Sequence, residues 1–174
     1  MSALALLLLI AFIWGFSEAT FFFIVPDVII SLVALTYGWR AGGLGVLAAI
    51  AGAVAGGVAT YFWGKTDIDR ARAFFDLLPA IAPATILRAS QEVMAPDFGL
   101  AMLKGSLTGV PYKLYASEAG ANELSLLHFV MLTPVVRFPR FAFAAILAAI
   151  AHRFAPPIFA AHKLKLLTLF WVVF

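Results

Sequence analysis

Five ionisable side chains fall where apolar sequence surrounds them: Glu18 and Asp27 near the start of the chain, Lys113 past its middle, and Arg137 and Arg140 in a later run. Their types permit a definite chemistry. Arginine meets a phosphate bidentately and never loses its charge, and lysine adds a point charge, so Lys113, Arg137 and Arg140 are candidates to bind a phosphate or another anion. A carboxylate in apolar surroundings can exist charged or neutral, because desolvation works against its charged form, so Glu18 and Asp27 are candidate proton carriers. Three cations against two carboxylates leave an excess of about one positive charge when both acids are ionised, which favours an anion. The same five groups can also pair off as salt bridges that hold the chain's broken segments in place, and the two roles are compatible.

The elements that must position these residues are constrained by geometry. On one straight helix, positions 18 and 27 lie about 180° apart, so one carboxylate would be sent toward lipid. Pro26 lacks an N–H and disfavours helix in the residue before it, which puts a break at Val25–Pro26. Residues 1–37 as a single helix would run to roughly 55 Å against a hydrocarbon core of about 30 Å. A short span over 1–16 followed by a re-entrant hairpin over 17–39 is therefore expected, its backbone buried in protein or facing a wet cavity. The opening resembles a signal peptide in its apolar run, but it has no Lys or Arg ahead of that run and more apolar chain follows at once, so an uncleaved span is expected.

Composition fixes the class. Of 174 residues, 64% are hydrophobic and 12% charged, with a mean hydropathy of +1.02, far from the balance of a soluble domain. Apolar runs longer than one span, in place of alternating ten-residue segments, point to an all-α integral membrane protein and away from a barrel. The expected fold is one small helical bundle with two re-entrant, broken hairpins in inverted arrangement. The absence of cysteine removes thiol chemistry and cysteine metal sites. A net charge of +3 without a clustered basic stripe excludes nucleic acid as a partner.

Along the chain, Gly38-Trp39-Arg40 reads as an interfacial stop, and 41–64 as a full span whose Gly45, Gly52, Gly56 and Gly57 let another element approach closely, by ordinary packing or to make room for a ligand or the hairpin. Residues 65–97 look solvated: charges punctuate Ile68, Phe74, Phe75, Leu77 and Leu78, and Pro79 and Pro83 split the stretch into two short amphipathic helices expected on the membrane surface. A second broken hairpin is expected over 98–120, interrupted at Gly105, Gly109, Pro111 and Gly120, with Lys113 and Glu118 among its apolar residues. Pro26, Pro111, Tyr112 and Gly120 are the expected hairpin tips. A span over 123–150 carries Pro134, Arg137, Pro139 and Arg140, and 154–174 is a terminal span or interfacial helix.

Read together, Glu18-x8-Asp27 with Pro26 and Gly52-x3-Gly56-x4-Tyr61-x2-Gly64 resemble the opening of DedA-family (VTT-domain, SNARE-associated Golgi protein-like) membrane proteins. Thr108-Gly109-Val110-Pro111-Tyr112-Lys113, Ala119-Gly120 and Arg137-x2-Arg140-Phe141 are similar to the branch with a proline-aromatic-lysine motif. The resemblance covers about 16–143. It implies facing re-entrant hairpins and proton-coupled translocation of a lipid or lipid phosphate, such as a polyprenyl phosphate or phospholipid, in a bacterial cytoplasmic membrane. By position, Glu18 and Asp27 would be the acidic pair, Arg137 and Arg140 the basic pair, and Lys113 stands where many relatives have arginine. Val25 replaces a common second proline, and Gly57 stands where an acidic residue often follows the glycine.

The partners so expected are an anionic membrane lipid and protons, with no cofactor and no metal, and a homo-oligomer is compatible with this reading. A lipid-phosphate enzyme is disfavoured: His128, His152 and His162 are scattered, and none has metal-ligand spacing. The other class is a structural or assembly factor of the membrane with no transport of its own.

Overall fold

The computed structural model describes residues 2–79, 81–154 and 167, and among these it contains eight α-helices and no strand. Two of them, α3 (Trp39–Thr66) and α8 (Leu126–Phe154), are long and apolar enough to cross a membrane. With 28 and 29 residues they extend about 42 Å each, beyond the roughly 30 Å of a hydrocarbon core. They lie antiparallel, since Gly42 faces Ala145 while Tyr61 stacks near Phe129. Pro134 and Pro139 fall inside α8 without ending it.

The remaining helices pack on this pair. α1 (Ala3–Glu18) begins at Ser2, whose hydroxyl caps Ala5 N, and ends where the orphan Ala19 carbonyl accepts from Thr60 Oγ1 of α3 at 2.8 Å. Its approach is set by glycine, because a Cβ at Gly52 or Gly56 of α3 would overlap the Phe12 or Phe16 carbonyl. Residues 19–26 are not helical. α2 (Asp27–Tyr37) starts directly after Pro26, and a single residue, Gly38 at φ 81°, turns the chain back into α3.

α4 (Ile68–Asp76) and α5 (Pro83–Val93) form the polar stretch, and Pro83 opens α5 in the first-turn position that proline tolerates. α6 (Phe98–Thr108) stops at Gly109, left-handed at φ 87°, and Pro111 precedes α7 (Tyr112–Ala121). One core gathers Phe75, Val93, Met102, Tyr115 and Phe129, and a second gathers Ile30, Val46, Ile50 and Phe141.

Several expectations are revised by this arrangement. The first break is wider than Val25–Pro26: α1 runs through Glu18 and the irregular connection fills 19–26, so 17–39 is the end of one helix, a loop and a second helix rather than a hairpin with two arms of its own. The apolar faces of α4 and α5 do not face outward as surface helices would, because Ala71, Phe75, Ala89 and Val93 are buried in the core with Tyr115 and Met102, and only Leu77 of the expected apolar set stands fully out. Gly120 is not at a tip. It lies near the end of α7, where a Cβ would overlap the Tyr61 carbonyl of α3, and the second break is confined to Gly109–Pro111. The glycines of α3 serve both suggested purposes, Gly52 and Gly56 admitting α1, and Gly57 and Gly64 admitting Tyr112 and Ser117 of the second broken segment. The expected terminal segment after Phe154, with His162, lies outside the described residues.

Candidate functional site

The directions of the short helices follow from their contacts. α2 runs parallel to α8, because Asp27 meets Arg140 and Leu35 meets His152. α7 runs parallel to α3, because Tyr112 faces Gly57 and Ser117 faces Gly64. Since α3 and α8 are antiparallel, α2 and α7 point away from each other. Both begin in the middle of the bundle: Asp27 at the level of Arg140, Tyr112 at that of Thr133, seven residues or about 10 Å apart along α8. Two helix N-termini, each carrying roughly half a positive charge, therefore face one region.

The charged side chains named from the sequence converge on that region. Glu18, the last residue of α1, pairs with Arg137 through Oε2 and Nη2, both groups buried. The Arg137 guanidinium lies between two rings, 5.0 Å from that of Tyr112 and 4.8 Å from that of Phe141, in cation–π range. Arg140 Nη2 lies 2.8 Å from Asp27 Oδ2, and its Nη1 donates to the Ser106 carbonyl at 3.2 Å. Lys113 Nζ donates to the Phe22 carbonyl at 2.6 Å. The Tyr112 hydroxyl shares a hydrogen bond of 2.8 Å with Thr133 Oγ1.

Each of the three cations thus ties the first broken segment to the second. Arg137 joins Glu18 to Tyr112, Arg140 joins Asp27 to Ser106, and Lys113 of α7 reaches Phe22 in the connection 19–26. Pro26 and Pro111 serve this indirectly by ending the breaks so that α2 and α7 start at the site.

Satisfaction is incomplete. Arg137 Nε and both Asp27 carboxylate oxygens are buried without a well-formed hydrogen bond, although Arg140 stands within ion-pair distance of Asp27. The Arg140 guanidinium, 2.8 Å away, faces the Asp27 carboxylate as its counter-charge. Arg140 is the open member, its side chain 33% exposed against 4% for Arg137. With net charge of about +1 and two helix N-termini, the arrangement suits an anion entering past Arg140.

A third buried carboxylate has a partner that sequence reasoning did not supply. Glu118 of α7 is 1% exposed and accepts a bidentate pair from Arg72 of α4, at 2.7 and 2.8 Å. Arg72 sits in the polar stretch, and only the third dimension brings it under α7. Tyr115 similarly donates to Glu92 of α5, which also accepts from Arg88 Nε at 2.7 Å. Lys104 stays exposed, apart from the cluster.

Among the described residues no group of three or more His, Asp or Glu could hold a metal ion. His128 and His152 lie at opposite ends of α8. Compared with protein-family models, with curated proteins and with solved structures, the chain finds no match. The resemblance to the DedA family therefore rests on the quoted residues.

Proposed function

We propose that this chain is an integral membrane transporter, flippase or scramblase for a lipid or lipid phosphate, that Glu18 and Asp27 couple it to protons, and that Lys113, Arg137 and Arg140 receive the anionic headgroup. The observation that carries this reading is the convergence of five charged groups on two oppositely directed helix N-termini. Broken helices meeting at mid-depth, with charges buried among them, are how carriers build a binding site in a bilayer. The incomplete hydrogen bonding of Arg137 and Asp27 supports it further, because a headgroup phosphate can accept from Arg137 while protons neutralise the carboxylates that release it. On this account the two breaks, 19–26 and 109–111, lie within a bacterial cytoplasmic membrane, and α2 and α7 lead from them toward opposite faces, as the DedA resemblance implies. The reaction breaks no covalent bond, so no catalytic residue is assigned.

A second reading has its own support: Glu18 and Asp27 each already face an arginine, as expected of a structural clasp in a membrane assembly factor. Reconstitution separates the two. Purified protein in liposomes, supplied with a fluorescent polyprenyl phosphate, should move it between leaflets faster than empty liposomes, and Asp27→Asn should lose this while remaining folded in detergent. Parent protein that moves no more than empty liposomes favours the clasp.

A further inference from the structure

A cavity among the described residues lies away from the charged cluster. It is a groove of about 850 Å³ where the end of α2, the start of α3 and the last half of α8 meet. None of Glu18, Asp27, Lys113, Arg137 or Arg140 lines it. Its walls are apolar: Val46 of α3 with Phe138, Ala142, Ala145, Ile146 and Ala149 of α8. Its mouth is basic. Arg40 and Arg153 stand there exposed, beside His152 and a Trp39 that is 72% exposed.

We propose that this groove is a binding site for a membrane phospholipid with an anionic headgroup, its acyl chain along α8 and its phosphate between Arg40 and Arg153. Charge complementarity selects the headgroup, since no carboxylate lines the groove and neither arginine has a carboxylate partner among the described residues. Both guanidiniums are instead seated over rings, Arg40 over Trp39 at 5.3 Å and Arg153 over Phe154 at 5.9 Å, which leaves their N–H edges open to an acceptor. His152 helps close the mouth: its Nδ1 lies 2.7 Å from the Leu35 carbonyl, so that nitrogen carries the proton and ties α8 to α2.

Length selects the tail. From Phe154 to Phe138 the α8 wall spans about 24 Å, more than half of a roughly 30 Å core, so a chain entering beside Trp39 stays in the groove to the middle of the bilayer. Tryptophan with arginine at the mouth is the usual furniture of the headgroup level. Gly43 of α3 lines the groove, and a Cβ there meets nothing within 4 Å, so a larger side chain at this position can project into the groove without displacing a neighbour. The proposal rests on the membrane reading and not on transport.

The test is local to the groove. The chain has no cysteine, so Ile150→Cys, on the half-exposed rim, takes a single fluorophore. In detergent micelles it is titrated with phosphatidylglycerol or phosphatidylcholine bearing the same nitroxide-labelled acyl chain. Phosphatidylglycerol should quench at about thirtyfold lower concentration, near fivefold for each arginine at the headgroup level. Arg40→Gln with Arg153→Gln should bring the two lipids to parity, the double lysine variant should keep most of the preference, and Gly43→Phe should weaken quenching by both. Adding Glu18→Gln should leave the preference unchanged, so a failed transport reading and a failed groove reading give different results. Equal quenching by both lipids in the parent, a preference that survives the double glutamine variant, or no quenching by either lipid would overturn the proposal.

Discussion

Removing Arg137 should cost more than any other single change at the charged cluster. Arg137→Ala leaves the buried Glu18 without the cation it is paired with, which in buried pairs costs about 3–5 kcal/mol, and it also strips the contacts with Tyr112 and Phe141. For a chain of this length each kcal/mol moves a thermal midpoint by about 2–4 °C, so the variant should melt about 10 °C or more below the parent in detergent. Glu18→Gln with Arg137→Ala removes the uncompensated charge and should recover a large part of that loss, giving a coupling between the two sites of about 2–3 kcal/mol. Arg137→Lys keeps the charge but loses the planar fork and the stacking, and should fall between parent and alanine variant. The assay is a double-mutant cycle on thermal midpoints, with lipid phosphate binding read in parallel. An alanine variant as stable as the parent, or a double variant that merely sums the single losses, would refute the buried-pair argument.

Glycine substitutions should split by position. Gly52→Ala pushes a methyl into the Phe12 carbonyl and should lower stability by about 2 kcal/mol or more, whereas Gly43→Ala meets open space and should raise it by about 0.5–1 kcal/mol through helix propensity, both read as thermal midpoints. Arg72→Gln strands Glu118 and should destabilise by about 3 kcal/mol, and Glu118→Gln in the same chain should restore much of this. Glu92 titrates below the ordinary carboxylate range: burial works the other way, but the Tyr115 hydroxyl and the Arg88 guanidinium together outweigh it. A depressed folded pKa contributes stability above the unfolded value of about 4.3 and loses it as pH falls below, so Glu92→Gln should flatten the acid limb of a stability profile below about pH 5. An unchanged acid limb would remove Glu92 from the acid response.

The parts of the structure visible in the sequence are those that depend on local rules. Pro26, Gly109 and Pro111 disfavour continuous helix, so the existence of two breaks could be read directly though not the full width of the first, and apolar length marked α3 and α8. The five charged positions were visible because ionisable residues are rare within long apolar runs. What stayed hidden depended on packing partners far apart in the chain. Which arginine meets which carboxylate follows from the antiparallel register of α3 and α8, and nothing local encodes that register. Phe75 read as part of the apolar face of a surface helix, since periodicity marks an apolar face without saying whether lipid or protein covers it. Arg72 looked like an ordinary solvated charge for the same reason, and Gly120 looked like a turn because a glycine needed for close helix crossing has the same letter as one needed for a break.

Recognition of an anionic headgroup by the charged cluster is tested by varying the headgroup itself. Liposomes carrying the purified chain, under an imposed pH gradient, are given either a fluorescent polyprenyl phosphate or the same polyprenol without its phosphate, and leaflet exchange is followed by quenching from outside. The phosphate should exchange well above the rate in empty liposomes, slow when the gradient is collapsed, and fall to background in Arg137→Lys, while the neutral alcohol should behave as it does without protein. Equal exchange of phosphate and alcohol, or full phosphate exchange by Arg137→Lys, would contradict it.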